Sequence, residues 1–335
     1  MIYMRHRATF VMVSFTAVFL VAVIFVGAAW LVPNISQVIS KNGKVLQGSL
    51  STSINSVAIG QAQASAPLSQ PQTPIIVPAP LPASAVVVPV QKPFLAESAI
   101  SVNISPSGDG VLFQKNAEEK LPIASLTKLM TAMVVLDNYD LSKNITIDQG
   151  AMNQEGQQGV LQLGQTLSVE SLLYVALIES SNRAAYALAE GMGTGQFIAT
   201  MNMDAQKLGM SHTQFADVTG LSAASYSTAG DVATLARYLF EHYPLFKEII
   251  SKKTYDVYAA DGSFHHQAQT TNQLLGQNNI IGGKTGFTDE AKQCFMTIEN
   301  NPQTGGYIIN VLLGSPDRVE DMKILIQNSK FKIQN

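Results

Sequence analysis

Apolar and polar positions divide this chain into three regimes. From Phe10 to Val32 no residue is charged, and Phe, Val, Ala, Leu and Ile dominate. About 23 such residues, rising 1.5 Å each, span a hydrocarbon core of about 30 Å. A cleavable signal peptide is the alternative, with an apolar core of about 7–15 residues before a small-residue site. Ala28-Ala29 offers such a site, but the run continues to Leu31-Val32. The length favours an uncleaved transmembrane anchor over residues 10–32. Arg5 and Arg7 precede it and the next charge is Lys41. The positive-inside bias therefore holds residues 1–9 in the cytoplasm and sends the remainder out of the cell, on a single-pass membrane topology.

Residues 33–93 show no periodicity. They hold nine of the fourteen prolines, with many Ser, Ala and Gln and only Lys41, Lys44 and Lys92 as charges. This composition predicts a semi-extended extracytoplasmic linker without a core.

Regular patterns begin near Phe94 and define a domain over 94–331. Ser98–Ile104 alternates like a strand, 105–110 is rich in turn residues, and Val111–Lys115 returns as the second strand of a hairpin. Helical periodicity predicts helices over Ser125–Leu136, Val169–Glu179, Arg183–Gly191, Gly195–Leu208 and Thr228–Glu241. Strand patterns resume over Ile280–Gly286, Gln293–Glu299 and Tyr307–Gly314. Asp317–Gln327 reads as a closing amphipathic helix resting on Val319, Met322, Ile324 and Leu325. Strands at both ends with helices between them predict an α+β fold, with one antiparallel sheet built from the two ends of the domain.

A net charge of −3 and the lack of a basic stripe speak against a nucleic-acid partner. The single cysteine, Cys294, sits in an alternating apolar run and reads as a buried strand residue. No H-E-x-x-H or C-x-x-C pattern suggests zinc, so neither a metal nor a cofactor is expected. His265-His266, in an Ala-Asp-Gly-Ser-Phe setting, reads as a solvated loop tip.

Three short motifs carry the chemistry. Ser125-Leu-Thr-Lys128 places a hydroxyl and an amine one turn apart at a helix start. A serine becomes a nucleophile once a base takes its proton, and a lysine of lowered pKa serves as that base. A second cation such as Lys284 would lower it. Ser180-Ser-Asn182 follows a long apolar helix where the chain leaves regular structure. Lys284-Thr285-Gly286 reads as an edge strand lining a cleft, where glycine admits a ligand backbone and Thr and Lys meet a carboxylate. Each motif alone is weak: S-x-N also occurs at Ser40, Ser53, Ser101 and Ser142, and S-x-x-K at Ser329. Ser329 is set aside because its surroundings read as a polar tail. Order and spacing discriminate.

From Pro93 to about Phe331 the chain resembles the D-alanyl-D-alanine carboxypeptidase family of low-molecular-mass penicillin-binding proteins. Lys120–Ala132 is similar to the family's nucleophile segment almost throughout. Leu208-Gly-Met, Gly220-Leu, Tyr226–Asp231, Thr271–Leu275 and Lys284–Ala291 resemble its other signatures. The resemblance implies a DD-peptidase and β-lactamase-like transpeptidase fold, and cleavage of D-Ala-D-Ala stem peptides of peptidoglycan, with β-lactams as covalent inhibitors. It implies Ser125 as acylated nucleophile, Lys128 as its base and Ser180 as proton relay. Asn182 would hold the substrate, Lys284 would tune the site, and Thr285 with Arg318 would bind the terminal carboxylate beside Gly286. Backbone N–H groups of Ser125 and Phe287 would form the oxyanion hole. Arg183 departs from the Asp common in carboxypeptidases and is often met in the endopeptidase branch, so cleavage of cross-links is the alternative reaction. Ala291-Lys-Gln-Cys294 departs from the usual Ala-Gly followed by an aromatic. A class A-like β-lactamase is disfavoured because Phe215–Gly220 carries no Glu; a non-catalytic wall-binding module is disfavoured because all three motifs are intact. The second β-rich domain and C-terminal membrane helix of many relatives are not expected, and the N-terminal anchor takes over their tethering role.

Overall fold

The computed structural model describes residues 93–156 and 158–334, with side chains described as far as Lys330. The expected cytoplasmic end, anchor and linker, up to residue 92, lie outside the described residues. Among the described residues no helix is long and apolar enough to cross a membrane.

Strands β1 (Ser98–Ile104) and β2 (Gly110–Lys115) form the hairpin that their alternation predicts. β3 (Leu121–Pro122) and a 3-10 turn (Ala124–Leu126) lead into α1 (Thr127–Asn138). Next come β4 (Asn144–Thr146), the single-turn α2 (Gln149–Met152) and β5 (Thr166–Ser168). The helices α3 (Val169–Ile178), α4 (Asn182–Glu190) and α5 (Thr194–Lys207) follow. After β6 (Tyr226–Ser227), which pairs with β3, come α6 (Ala229–His242) and α7 (Pro244–Ser251). A two-stranded ribbon follows, β7 (Thr254–Tyr258) with β8 (Phe264–Gln269). The chain closes with β9 (Ile280–Thr288), β10 (Lys292–Asn301), β11 (Gly306–Ser315) and α8 (Arg318–Gln334).

The main sheet has the order β2-β1-β11-β10-β9 and every pairing is antiparallel. Strand β1 opposes β11, with Ser98 across from Leu313 and Ile104 across from Tyr307, so both ends of the domain share one sheet as expected. Two helical layers cover its faces, and successive residues of β11 divide between them. Ile309, Val311 and Leu313 join the large core with α1, α3, α4 and α6. Leu312 joins Ala99, Phe295, Met322, Leu325 and Ile326 under α8. A strand buried on both faces reads as a near-continuous apolar run, as Ile308–Leu313 does with Asn310 its one polar member.

Helix α1 is buried on every side from Thr127 to Val135, the condition of a helix at the centre of a domain. Side-chain caps fix where neighbouring helices begin: Ser168 accepts from Ser171 N, Ser181 from Ala184 N and Thr228 from Asp231 N. Each such cap stabilises its helix by about 1 kcal/mol.

Three expectations are corrected. Helix α8 runs past Gln327, and Ser329 is 1% exposed within it, donating to the Leu325 carbonyl at 2.8 Å. Ser329 therefore does not lie in a polar tail. Ile326 and not Ile324 completes the apolar seam, because the helix turns its 322, 325, 326 and 329 positions to the sheet. His265 and His266 belong to strand β8 and are half-buried, the second in contact with Glu179, so they form no solvated loop tip.

Candidate active site

Ser125 lies in the 3-10 turn that enters α1, one residue after Ala124, whose φ is +46°. The turn is pressed against Gly220: a Cβ there would lie 1.8 Å from the Ala124 carbonyl oxygen. Gly220 has φ +84°, so both its backbone angle and the close approach call for glycine. Lys128, on the first turn of α1, is 1% exposed. Its Nζ lies 2.9 Å from Ser125 Oγ, 2.6 Å from Asn182 Oδ1 and 2.8 Å from the Thr219 carbonyl oxygen. Burial draws the amine down to about 7, against the opposing influence of the Asp217 carboxylate. A neutral amine has two N–H groups and one lone pair. With Asn182 and Thr219 as acceptors of the two N–H groups, the lone pair is left for Ser125. The arrangement is that of a base facing its nucleophile.

The junction of α3 and α4 carries the second motif. Ser180 has φ +65°, a strained value for a residue other than glycine. Its flanks are held from the β7–β8 side: Thr271 N donates to the Ile178 carbonyl at 3.2 Å, and His266 Nε2 lies 2.9 Å from Glu179 Oε2. Asn182 is the first residue of α4 and not a loop residue, because Ser181 caps that helix. Its amide also donates to the Glu155 carbonyl at 2.8 Å.

Lys284, in edge strand β9, is 1% exposed and donates to Ser180 Oγ at 2.7 Å and to the Thr285 carbonyl at 2.8 Å. Burial carries it well below the ordinary lysine range, and Lys128 and then Arg318 add to the effect. Gly286 lets the strand abut the Ser125 turn, since a Cβ there would stand 3.1 Å from the backbone nitrogen of Ser125. Thr285 Oγ1 lies 2.6 Å from Thr271 Oγ1, and Phe287 is 60% exposed. Arg318, at the head of α8, donates to the Gly286 carbonyl at 3.3 Å. The structure thus brings together Ser125, Lys128, Ser180, Asn182, Lys284, Thr285, Gly286 and Arg318, with Phe287 next along β9.

Sequence reasoning missed the part played by the loop before β6, which it weighed only for a missing glutamate. This loop supplies the Thr219 carbonyl to Lys128, and its Val218 carbonyl accepts from Thr131 at 2.7 Å. The Gly220-Leu pair was its one legible sign. Arg183 turns back toward the chain before β5, with NH1 3.4 Å from the Leu161 carbonyl. Cys294 is fully buried and its thiol is pushed up to about 12, which leaves it inert. Among the described residues no group of three or more His, Cys, Asp or Glu is placed to hold a metal ion.

The chain is similar to a D-alanyl-D-alanine endopeptidase of Pseudomonas aeruginosa, 34% identical over 64% of this chain and 71% of the relative. It is also similar to a D-alanyl-D-alanine carboxypeptidase of Bacillus subtilis, 31% identical over 59% of this chain and 53% of that protein. Among solved structures, the crystal structure of a Streptomyces DD-transpeptidase superposes with a TM-score of 0.66 at 26% identity, covering 73% of this chain and 99% of the other. The family model for D-alanyl-D-alanine carboxypeptidase matches residues 86–316. With that match and the arrangement around Ser125, the chain belongs to the D-alanyl-D-alanine carboxypeptidase family of serine peptidases.

Proposed function

We propose that this chain cleaves peptide bonds that follow a D-alanine in peptidoglycan stem peptides, through an acyl-enzyme on Ser125. The observation that carries the reading is the Lys128 amine, drawn down to about 7 and 2.9 Å from the Ser125 hydroxyl. Lys128 takes the hydroxyl proton as Oγ attacks the carbonyl of the penultimate D-alanine. The backbone N–H groups of Ser125 and Phe287 receive the developing oxyanion. Ser180, held by Lys284, relays the proton taken up by Lys128 to the departing amine and ends with its hydroxyl intact; the C–N bond breaks and an ester remains on Ser125. Water, giving its proton to Lys128, then attacks that ester; the bond from the acyl carbon to Ser125 Oγ breaks, the shortened peptide leaves as a carboxylate, and Lys128 returns the proton to Oγ. Asn182 orients the substrate, and Thr285 with Arg318 meets the terminal carboxylate.

Removal of the terminal D-alanine, the carboxypeptidase reaction, is our first reading. Cleavage of cross-links is the second, favoured by Arg183 directly after Asn182 and by the 34% identity to D-alanyl-D-alanine endopeptidases of Pseudomonas aeruginosa and Escherichia coli. Incubation with an L-Lys-D-Ala-D-Ala peptide and, separately, a cross-linked muropeptide separates them by the masses of the products. Cleavage of neither refutes the proposal.

We further propose that residues 10–32 tether the enzyme to the outer face of the cytoplasmic membrane. The support is the uncharged apolar run after Arg5 and Arg7. The full chain should fractionate with membranes, whereas a chain beginning at Pro93 should be soluble and equally active. A full chain recovered in the soluble fraction refutes the tether.

A further inference from the structure

Asp217 is not part of any motif in the sequence, yet the loop beneath the base is built around it. Its Oδ2 accepts from the N–H groups of Thr219 at 3.2 Å, Gly220 at 2.8 Å and Leu221 at 2.9 Å, and from the Thr219 hydroxyl at 2.5 Å. Its Oδ1 accepts from the Ser225 hydroxyl at 2.5 Å. That hydroxyl in turn accepts from the N–H groups of Ala216 and Asp217 at 3.0 and 3.3 Å. Five donors converging on one carboxylate fix the peptide planes of residues 217–221. One of those planes carries the Thr219 carbonyl that faces the Lys128 amine at 2.8 Å.

We propose that Asp217 is a positioning residue for acyl transfer: its carboxylate locks the Thr219 carbonyl onto Lys128 and sets the strength of that base. The inference rests on the reading of Ser125 and Lys128 as nucleophile and base. Geometry supplies the first half, through the loop that Asp217 organises. Charge supplies the second. Burial loosens the hold of Lys128 on a proton, and the Asp217 carboxylate restores part of it. Too weak a base would be free at lower pH but would draw the Ser125 proton poorly. The other groups against Lys128 are Lys284 from β9, itself drawn well below the ordinary lysine range by burial, and the neutral Ser125, Asn182 and Thr219 carbonyl. Substituting Asp217 removes none of them.

Asp217→Asn tests the proposal with little steric change. The amide oxygen keeps the backbone donors, while the amide nitrogen gives up the one acceptor of the Ser225 hydroxyl, whose own lone pairs the Ala216 and Asp217 N–H groups already fill. The second-order rate of acylation by benzylpenicillin is measured from pH 5 to 9 for wild type, D217N and Ser225→Ala, with the Tm of each. For D217N the acidic midpoint should fall by roughly half a pH unit or more and the plateau by about tenfold. Ser225→Ala loosens the same loop and leaves the charge, so its midpoint should stay at the wild-type value. A D217N midpoint equal to that of wild type, with Ser125 acylated in both, overturns the inference alone. A wild-type chain that forms no Ser125 adduct overturns the underlying reading and the inference together. Should D217N not fold, Asp217→Ser removes the same charge and is read in the same way.

Discussion

Lys284 and Ser180, 104 positions apart, meet in a 2.7 Å hydrogen bond inside the site. The ammonium or amine of Lys284 is what gives the Ser180 hydroxyl a direction, and burial keeps water from competing for it. Lys284→Met removes the donor without opening a large void. Acylation by penicillin should fall by roughly two to three orders of magnitude while Tm changes little. Stopped-flow acylation and a thermal melt check both halves.

Benzylpenicillin should form its adduct on Ser125, and Ser125→Ala should abolish it. Ser329, the other S-x-x-K serine, is buried in α8 and bonded to Leu325, so it should stay unlabelled. Intact mass and peptide mapping decide; a label on Ser329 refutes the assignment.

Wild-type acylation should rise about tenfold per pH unit below the Lys128 midpoint and level off above it, with that midpoint about 7. The sign follows from the lowered value: below it the amine is protonated and takes no further proton, above it the lone pair is free. Lys128→Arg keeps a positive charge but remains protonated at every pH in this range. It should fold and show no measurable acylation. An unchanged rate would make Lys128 a packing residue.

Gly220→Ala should be among the most damaging single-methyl additions in the domain. The new Cβ would meet the Ala124 carbonyl oxygen at 1.8 Å and occupy a φ of +84°. We expect a loss of roughly 3 kcal/mol or more, with a Tm lower by on the order of 10 °C. At Gly164 the φ is similar, +82°, but the space is open, so alanine should cost about 1 kcal/mol. Paired melts of the two variants test the contact and not merely the angle.

The penicilloyl adduct should persist for minutes or longer. Fast release needs a base that aims water at the ester, and class A β-lactamases place a glutamate for it between the S-x-N and K-T-G motifs. Here Glu190, Glu241 and Glu248 lie on α4, α6 and α7, and Glu241 is engaged by Tyr307 and Arg237. Decay of the adduct after removal of free drug measures this. Release within seconds would favour the β-lactamase reading.

The hairpin at Ser98–Lys115, the three closing strands and the three motifs were legible because period-two alternation and short invariant spacings are local signals. The site's supports were not, because they are long-range. Nothing in the sequence near Ser180 announces a φ of +65°, since the clamps come from His266 and Thr271. The β7–β8 ribbon escaped notice because its polar residues, His265 and His266 among them, look like loop composition until Glu179 and Gln165 are placed beside them. Ser329 was misplaced for a similar reason. A helix that shows the sheet only one or two residues per turn looks polar in sequence. Asp217 carried no signal at all, because its five donors are four backbone and hydroxyl groups within its own loop and one further hydroxyl at Ser225.

The pairing of β1 with β11 also sets a clock. Strand β9 joins β1 in the sheet only through β10 and β11, so the sheet that carries Gly286 against the Ser125 turn is complete only once Ser315 exists. About 190 residues separate Ser125 from Ser315. At roughly 5–20 residues per second, a ribosome needs about 10–40 s to cover that stretch. Non-local pairing then delays closure further. Through that interval Ser125 has been made but has no strand beside it, and the candidate site is completed late in folding.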